Sequence, residues 1–267
     1  MKITFLGTGG GRIVTVNQER CTGGIYLQGE RRVHIDPGPG AALLLRKEGK
    51  SPLNTDAILV SHCHPDHYSD AEVLLEGMYL KKREPSGLLL ASKSVLEGVE
   101  DVGPAISKYH QRRVKRVVVA EPGRAVQLSP FTFIPFKTYH NDPSSVGFII
   151  DTPSGRISYV SDTSLNPGLL SQQKKIDLLI LSVTRPLEAR IKYHLSTEDA
   201  AFLVEKIKPA LAIMTHFGKK AINSDPDLQA GWVHRKTKIK TVAAKDGMVL
   251  EMSKEGVEVV RVGWSEI

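Results

Sequence analysis

Cysteine is scarce in this chain: Cys21 and Cys63 are the only two among 267 residues. Two thiols do not make a disulfide framework at this length, which argues against a stapled extracellular scaffold. Long apolar runs are missing too, and none approaches the ~20 residues of a membrane span. The first residues, Met-Lys-Ile-Thr-Phe-Leu, turn to glycine before an apolar leader segment develops. These absences lead us to expect a cytoplasmic protein with no membrane partner. Linkers and low-complexity segments are absent as well, so one domain over residues 1–267 is expected. Charge of one sign is only modestly favoured: 36 Lys and Arg face 29 Asp and Glu, a formal +7. That excess suits anionic partners such as phosphate esters or nucleic acid, although an ordinary solvated surface gives the same balance. With 41% hydrophobic residues the chain can build a substantial core.

What is present is concentrated. Residues 61–70 read Ser-His-Cys-His-Pro-Asp-His-Tyr-Ser-Asp, placing His62, His64, Asp66 and His67 within six positions. Three imidazoles and a carboxylate are donors that borderline-soft divalent metals take. The stretch follows Asp56-Ala-Ile-Leu-Val-Ser61, an apolar run that reads as a buried strand. The cluster therefore falls where a strand of an α/β sheet runs out, the place where such sheets collect their sites. The competing reading is a surface loop rich in histidine by chance.

Taken in order, Lys2–Leu6 reads as a strand ending in the glycine turn 7–11. No Lys-Ser/Thr follows, and Arg12-Ile-Val-Thr-Val does not read as a helix start, so a tight turn beside a metal pocket fits better than a phosphate-binding P-loop. A hairpin spans residues 24–35 around Gly29-Glu30 and ends at Asp36, before the rigid turn Pro37-Gly-Pro-Gly40. Helices are expected over 41–47 and 70–80, the latter with Val73, Leu74 and Met78 on one face. Strands follow near 88–91, 117–120, 125–128 and 131–136, with a short helix near 105–110. A hairpin joins 146–151 to 156–161, and 177–183 is a strongly apolar strand. Residues 197–208 carry the clearest helical pattern, with Ser196 and Asp199 as a capping box and Ala200, Leu203, Val204 and Ile207 on one face. A strand is expected near 210–215, a helix near 225–235, and strands in the tail. Two halves emerge, each β-rich and then alternating strand with helix.

Further ligand chemistry stands just past other strand ends: His140, Asp162 and His216. With these in place the chain resembles the metallo-β-lactamase superfamily along most of its length. The resemblance rests on the glycine turn, Asp36 in His-Ile-Asp-Pro-Gly, the His62–His67 motif, His140, Asp162 in Val-Ser-Asp-Thr and His216 in Met-Thr-His-Phe. It implies an α/β (α+β) four-layer αββα sandwich, two mixed sheets flanked by helices, with a binuclear metal site at one edge. Carried over residue by residue, His62, His64 and His140 would bind one metal, Asp66, His67 and His216 the other, and Asp162 would bridge both. The cofactors implied are two divalent ions, zinc first and manganese second. The implied chemistry is hydrolysis by a metal-bridging hydroxide, with Asp66 also orienting it. Asp36 resembles the family's buried aspartate that supports the histidine loop. Cys63 reads as a small buried hydrophobe pointing away from the metals, and Asp70 and Tyr68 as serving the next helix start.

The branch follows from what surrounds the ligands. After His140 the chain reads Asn-Asp-Pro-Ser-Ser-Val-Gly-Phe, not the Pro-Gly-His-Thr-type turn of the β-lactamase, glyoxalase and lactonase branches. That pattern resembles ribonuclease Z and the cyclic-phosphate phosphodiesterases. His194-Leu-Ser-Thr resembles the His-Ser-Thr segment of ribonuclease Z, with Leu195 inserted, and gives His194 a catalytic role at the phosphate or leaving oxygen; a capping turn is the plainer alternative. The glycine- and proline-rich arm that grips tRNA is not visible, and the basic runs 81–83 and 112–116 read as solvated faces. The expectation is a phosphodiesterase acting on a small or short phosphodiester. The alternatives are a ribonuclease Z-type endonuclease on RNA and an iron-dependent oxidoreductase of the same fold. The di-iron reductases, however, place Glu where this chain has His64. A non-catalytic binding module would be expected to have lost ligands, and none of the seven is missing.

Overall fold

The computed structural model describes residues 1–166 and 168–264. Two mixed β-sheets lie face to face with helices on both outer faces, the four-layer sandwich expected. In spatial order the first sheet runs Gly256–Arg261, Val249–Ser253, Lys2–Phe5, Ile25–Gln28, Arg32–Ile35, Ala57–Val60, Leu88–Ala91 and Arg116–Val119. The second runs Thr241–Ala243, Leu211–Thr215, Leu178–Ser182, Gly155–Val160, Val146–Thr152, Phe131–Lys137 and Val126–Leu128. Each sheet starts as antiparallel hairpins and continues as parallel strands. Both ends of the chain meet in the first sheet, where Lys2–Phe5 pairs with Val249–Ser253.

The period of two in β-structure explains why the central strands are apolar throughout. Ala57 and Leu59 join the core between the sheets, whereas Ile58 and Val60 face the outer helices. Leu88 and Leu90 split from Leu89 and Ala91 in the same way, as do Leu178 and Ile180 from Leu179 and Leu181. The outer layers are amphipathic helices: Ala41–Lys47 and Ala71–Leu80 on the first sheet, Thr197–Ile207 and Pro226–Thr237 on the second. The capping box is formed, with Asp199 N–H on the Ser196 hydroxyl and Ser196 N–H on the Asp199 carboxylate.

Four local expectations are corrected. A helix does form at Arg12–Asn17, in spite of its β-branched residues. Gly11, at φ 75°, turns the chain there and buried Val14 anchors the helix, so tertiary packing overrides local propensity. Residues 92–114 hold helices at Lys93–Leu96 and Lys108–Gln111, because Ala105 and Ile106 give their N–H groups to the Val95 carbonyl instead of starting a helix. On Ala71–Leu80 the buried face is Ala71, Leu74, Leu75 and Met78, and Val73 is 56% exposed. Asp70 does not cap the helix it precedes; its carboxylate accepts the N–H of Ala42 at 2.9 Å, at the start of the neighbouring helix.

Candidate metal centre

The parallel strands of both sheets point their C-terminal ends at one edge, and every ligand candidate lies there. Arg32–Ile35 delivers Asp36, Ala57–Val60 the loop from Ser61 to His67, and Phe131–Lys137 His140. Gly155–Val160 delivers Asp162, and Leu211–Thr215 delivers His216. Asp36 and His216 turn away from their strands at φ 50° and 60°. Such left-handed conformations in non-glycine residues gather where a site imposes them.

Two donor groups result. The donor atoms of His62, His64, His140 and Asp162 lie within 4.8 Å of one another, as do those of Asp66, His67 and His216. In the first group His62 Nε2 is 3.0 Å from His64 Nδ1, which is 3.2 Å from His140 Nε2. In the second, His67 Nε2 is 3.0 Å from His216 Nε2, and Asp66 Oδ2 is 3.2 Å from the same nitrogen. Asp162 lies between them, its Oδ2 3.9 Å from both His67 and His140 and its Oδ1 3.2 Å from His216 Nδ1.

Neighbours set which nitrogen each ring presents. Asp36 is buried: its Oδ1 accepts Ser61 N–H at 2.7 Å, and its Oδ2 accepts the Ser61 hydroxyl, the Tyr159 hydroxyl and His67 Nδ1–H at 2.7–2.8 Å. With its proton on Asp36, the Ser61 oxygen accepts His62 Nδ1–H at 2.9 Å. His140 Nδ1–H donates to the Tyr193 carbonyl at 3.0 Å. His62, His67 and His140 therefore all present Nε2, the arrangement in which outer partners fix ligand tautomers.

The charges agree. Burial pushes the titration of His62, His64 and His140 down, so these rings are neutral and bear lone pairs. Burial would lower His67 as well, but Asp66, Asp36 and Asp162 overcome it and carry the ring up to about 10. His216 is also raised, against burial, by Asp162 and Asp66. Asp66 is held far below the usual carboxylate range by His67 and His216 in spite of its burial, and Asp162 falls to about 2 beside His216 and His194. The donors fit a pair of divalent cations: ring nitrogens in each group converge to 3.0 Å, the carboxylates that favour positive charge on His67 and His216 would equally favour a cation, and Asp162 Oδ1 is buried without a hydrogen bond.

The glycine turn closes over this edge. Gly10 gives its N–H to the Phe217 carbonyl, and a Cβ at Gly10 would lie 2.2 Å from the His216 ring. Gly11 N–H donates to Asp66 Oδ2 at 3.1 Å. His194 stands beside both groups without belonging to either, its Nδ1 3.5 Å from Asp162 Oδ2 and 3.3 Å from Thr184 Oγ1. Cys63 is half-buried among apolar side chains outside the donor groups, and burial raises its thiol to about 11.

Several contributors escaped the sequence reading. Asp246 accepts Thr8 N–H, the Thr8 hydroxyl and Cys21 N–H, tying the glycine turn to the chain that returns after the helix Arg12–Asn17. Asp142 holds the loop between His62 and His64. Tyr193, at φ 73°, aims its carbonyl at His140. None carries a spacing signal, because each partner is brought close by the fold alone.

Two facing mixed sheets with a His/Asp-lined edge define a sandwich metallo-hydrolase. Residues 31–217 match the family described as the beta-lactamase superfamily domain, and the chain belongs to that superfamily. It is 38% identical over 255 residues to an uncharacterized protein of Methanocaldococcus jannaschii, covering 94% of this chain and 95% of that one. It is 27% identical to a ribonuclease Z of Methanosarcina mazei, over 72% of this chain and 57% of that enzyme's length. Among solved structures, the metallo-beta-lactamase fold protein YhfI of Bacillus subtilis superposes with TM-score 0.76 at 19% identity, covering 93% of this chain and 98% of YhfI. A diphosphatase of the PhnP family superposes with TM-score 0.67 at 22% identity, covering 94% and 97%.

Proposed function

We propose that the protein is a cytoplasmic phosphodiesterase that hydrolyses a small or short phosphodiester with two divalent cations. The observation that carries this reading is His194, a ring outside both donor groups yet 3.5 Å from the carboxylate they share. His62, His64, His140 and Asp162 would hold one cation, and Asp66, His67 and His216 the other, with Asp162 common to both. Five imidazoles and two carboxylates suit zinc, with manganese second. When bound, such a pair polarises a phosphoryl oxygen and acidifies water toward a pKa near ~7.

The chain's own residues supply the rest. Asp162 offers one buried anion between two cations that would otherwise repel. Asp66, held by Gly11 N–H, has a carboxylate at the same edge that orients attacking water by accepting a hydrogen bond. His194 stands where a ring nitrogen can donate to the phosphoryl or departing oxygen. Asp36 keeps Ser61 and His67 fixed throughout. The kinship with a ribonuclease Z favours a second reading, an endonuclease on RNA.

A hydrolysis panel on the metal-loaded protein tests this: bis-nitrophenyl phosphate, cyclic nucleotides, tRNA precursor, a lactone and nitrocefin. Turnover of the activated and cyclic diesters with nitrocefin untouched is the expected result. Robust β-lactam turnover without diesterase activity would refute it, and site-specific cutting of the tRNA precursor would replace it with the second reading.

A further inference from the structure

Asp142 lies two residues after His140, on the turn joining Phe131–Lys137 to Val146–Thr152 in the second sheet. The residue is 1% exposed, and its carboxylate accepts hydrogen bonds from segments around the site. Oδ2 accepts the N–H of Cys63 at 2.8 Å and the Ser94 hydroxyl; Oδ1 accepts the N–H and hydroxyl of Ser144 at 2.8 and 3.0 Å. The Ser144 hydroxyl in turn accepts Ser94 N–H at 2.9 Å. Three chain segments thus meet on one carboxylate: the loop between His62 and His64, the start of the helix Lys93–Leu96, and the turn carrying His140.

The first donor group draws His62 and His64 from one sheet and His140 and Asp162 from the other, so its geometry depends on how the two sheets meet at this edge. Cys63 is the residue between His62 and His64, and its N–H is a backbone donor inside the loop. Asp142 satisfies that donor from the opposite sheet. The second donor group has separate supports: Asp36 on His67 and Gly11 on Asp66. We propose that Asp142 is a positioning residue dedicated to the first metal site, stapling the His62–Cys63–His64 loop of one sheet to the His140 turn of the other. The inference rests on the two-cation reading above but not on which substrate is hydrolysed.

The physical argument is one of tolerance. A metal site needs its donors held to within about half an ångström, and outer hydrogen-bond partners are worth about 10- to 100-fold in metal affinity. Removing the Asp142 carboxylate takes the acceptor from the N–H groups of Cys63 and Ser144 and from the hydroxyls of Ser94 and Ser144, and frees the two ligand loops to drift apart. His67 and Asp66 keep their own supports, so the loss falls on one site of the two.

The test is a metal titration with Co²⁺ or Zn²⁺ against a competing chelator, run on wild type, Asp142→Ala and Asp142→Asn, with thermal melting of each chelated protein alongside. Asparagine keeps one acceptor oxygen for Cys63 N–H. Wild type is expected to bind two ions. Asp142→Ala should keep one tight site and weaken the other about 10- to 100-fold, and Asp142→Asn should recover part of that loss. Two sites of unchanged affinity in Asp142→Ala would overturn the proposal. So would equal weakening of both sites, with Asn no better than Ala, since that is what a general stability role produces. Wild type binding no metal would overturn the two-cation reading and this inference with it. Because no outcome depends on turnover, a wrong substrate class leaves the result readable.

Discussion

Asp162 is the residue through which the two donor groups communicate: four imidazoles, those of His67, His140, His194 and His216, have a nitrogen within 3.9 Å of its oxygens. Asp162→Ala should therefore remove most of the bound metal, by elemental analysis, where loss of a donor confined to one group removes about one ion. Full occupancy in that variant would contradict a shared carboxylate. His194→Ala should act on rate instead, with metal content intact and kcat down by ~10²–10⁴-fold, the range of a positioned acid–base group. An effect on thermal stability alone would return His194 to a structural turn. His34 gives a residue-scale prediction away from the metals. Its Nε2–H donates to the Gly23 carbonyl at 2.7 Å, and its buried Nδ1 has no partner. Burial lowers its titration from 6.5 to about 4. Above pH 6.5 the ring is neutral both folded and unfolded and adds no pH dependence. Between 6.5 and 4 the unfolded chain takes up a proton that the fold refuses, so stability falls as pH falls. The loss from pH 7 to 4.5 should be about 2–3 kcal/mol larger in wild type than in His34→Leu, at ~1.4 kcal/mol per pH unit. Equal losses in urea unfolding would show that His34 is protonated in the fold.

Element-scale features account for which residues reach the edge. Thr197–Ile207 begins three residues after His194, and its capping box fixes where the helix starts and how the preceding turn lies. Arg190 adds a contact to Asp199 at 2.8 Å. Ser196→Ala removes the acceptor for Asp199 N–H and should cost about 1 kcal/mol in chemical denaturation; no measurable change would mean that packing of Ala200, Leu203 and Val204 alone sets the helix. The helix Arg12–Asn17 teaches the opposite lesson. Its sequence is a poor helix former, and it forms because Gly11 turns the chain and Val14 has a buried seat. The split of 92–114 into two short helices likewise follows from the Val95 carbonyl, a partner that local propensity does not reveal.

At the scale of the whole molecule, charge decides how the surface treats nucleic acid. The excess is +7 over 267 residues, and part of the 112–116 run is engaged within the fold. Arg113 lies over the rings of Tyr79 and Tyr109 at 4.3 and 4.6 Å and pairs with Glu76, and Arg116 donates to the Gln127 carbonyl. Among the described residues no helix is long and apolar enough to cross a membrane. Binding to long structured RNA should be weak at ~0.15 M salt, since few phosphate contacts are on offer and each contributes through counterion release. Tight binding in a gel shift at that salt, with site-specific cutting, would favour the endonuclease reading and point to the exposed run 81–83.

The sequence alone determined the layers and marked the candidate donors. Apolar strands alternating with amphipathic helices leave few architectures open, and ligand residues standing just past strand ends mark an edge before any coordinates exist. Local spacing is what makes such features legible: His62 to His67 lie within one loop, and the capping box within four residues. Only the tertiary structure decided the rest. It showed that Asp162 faces both donor groups, that His194 reaches its carboxylate, that Asp36 holds His67 directly along with Ser61 and Tyr159, and that Asp246 and Asp142 pin the loops. Those contacts join residues 22 to 238 positions apart. An aspartate's partner at such a distance is set by how two sheets pack, and sheet packing leaves no periodicity around the aspartate itself.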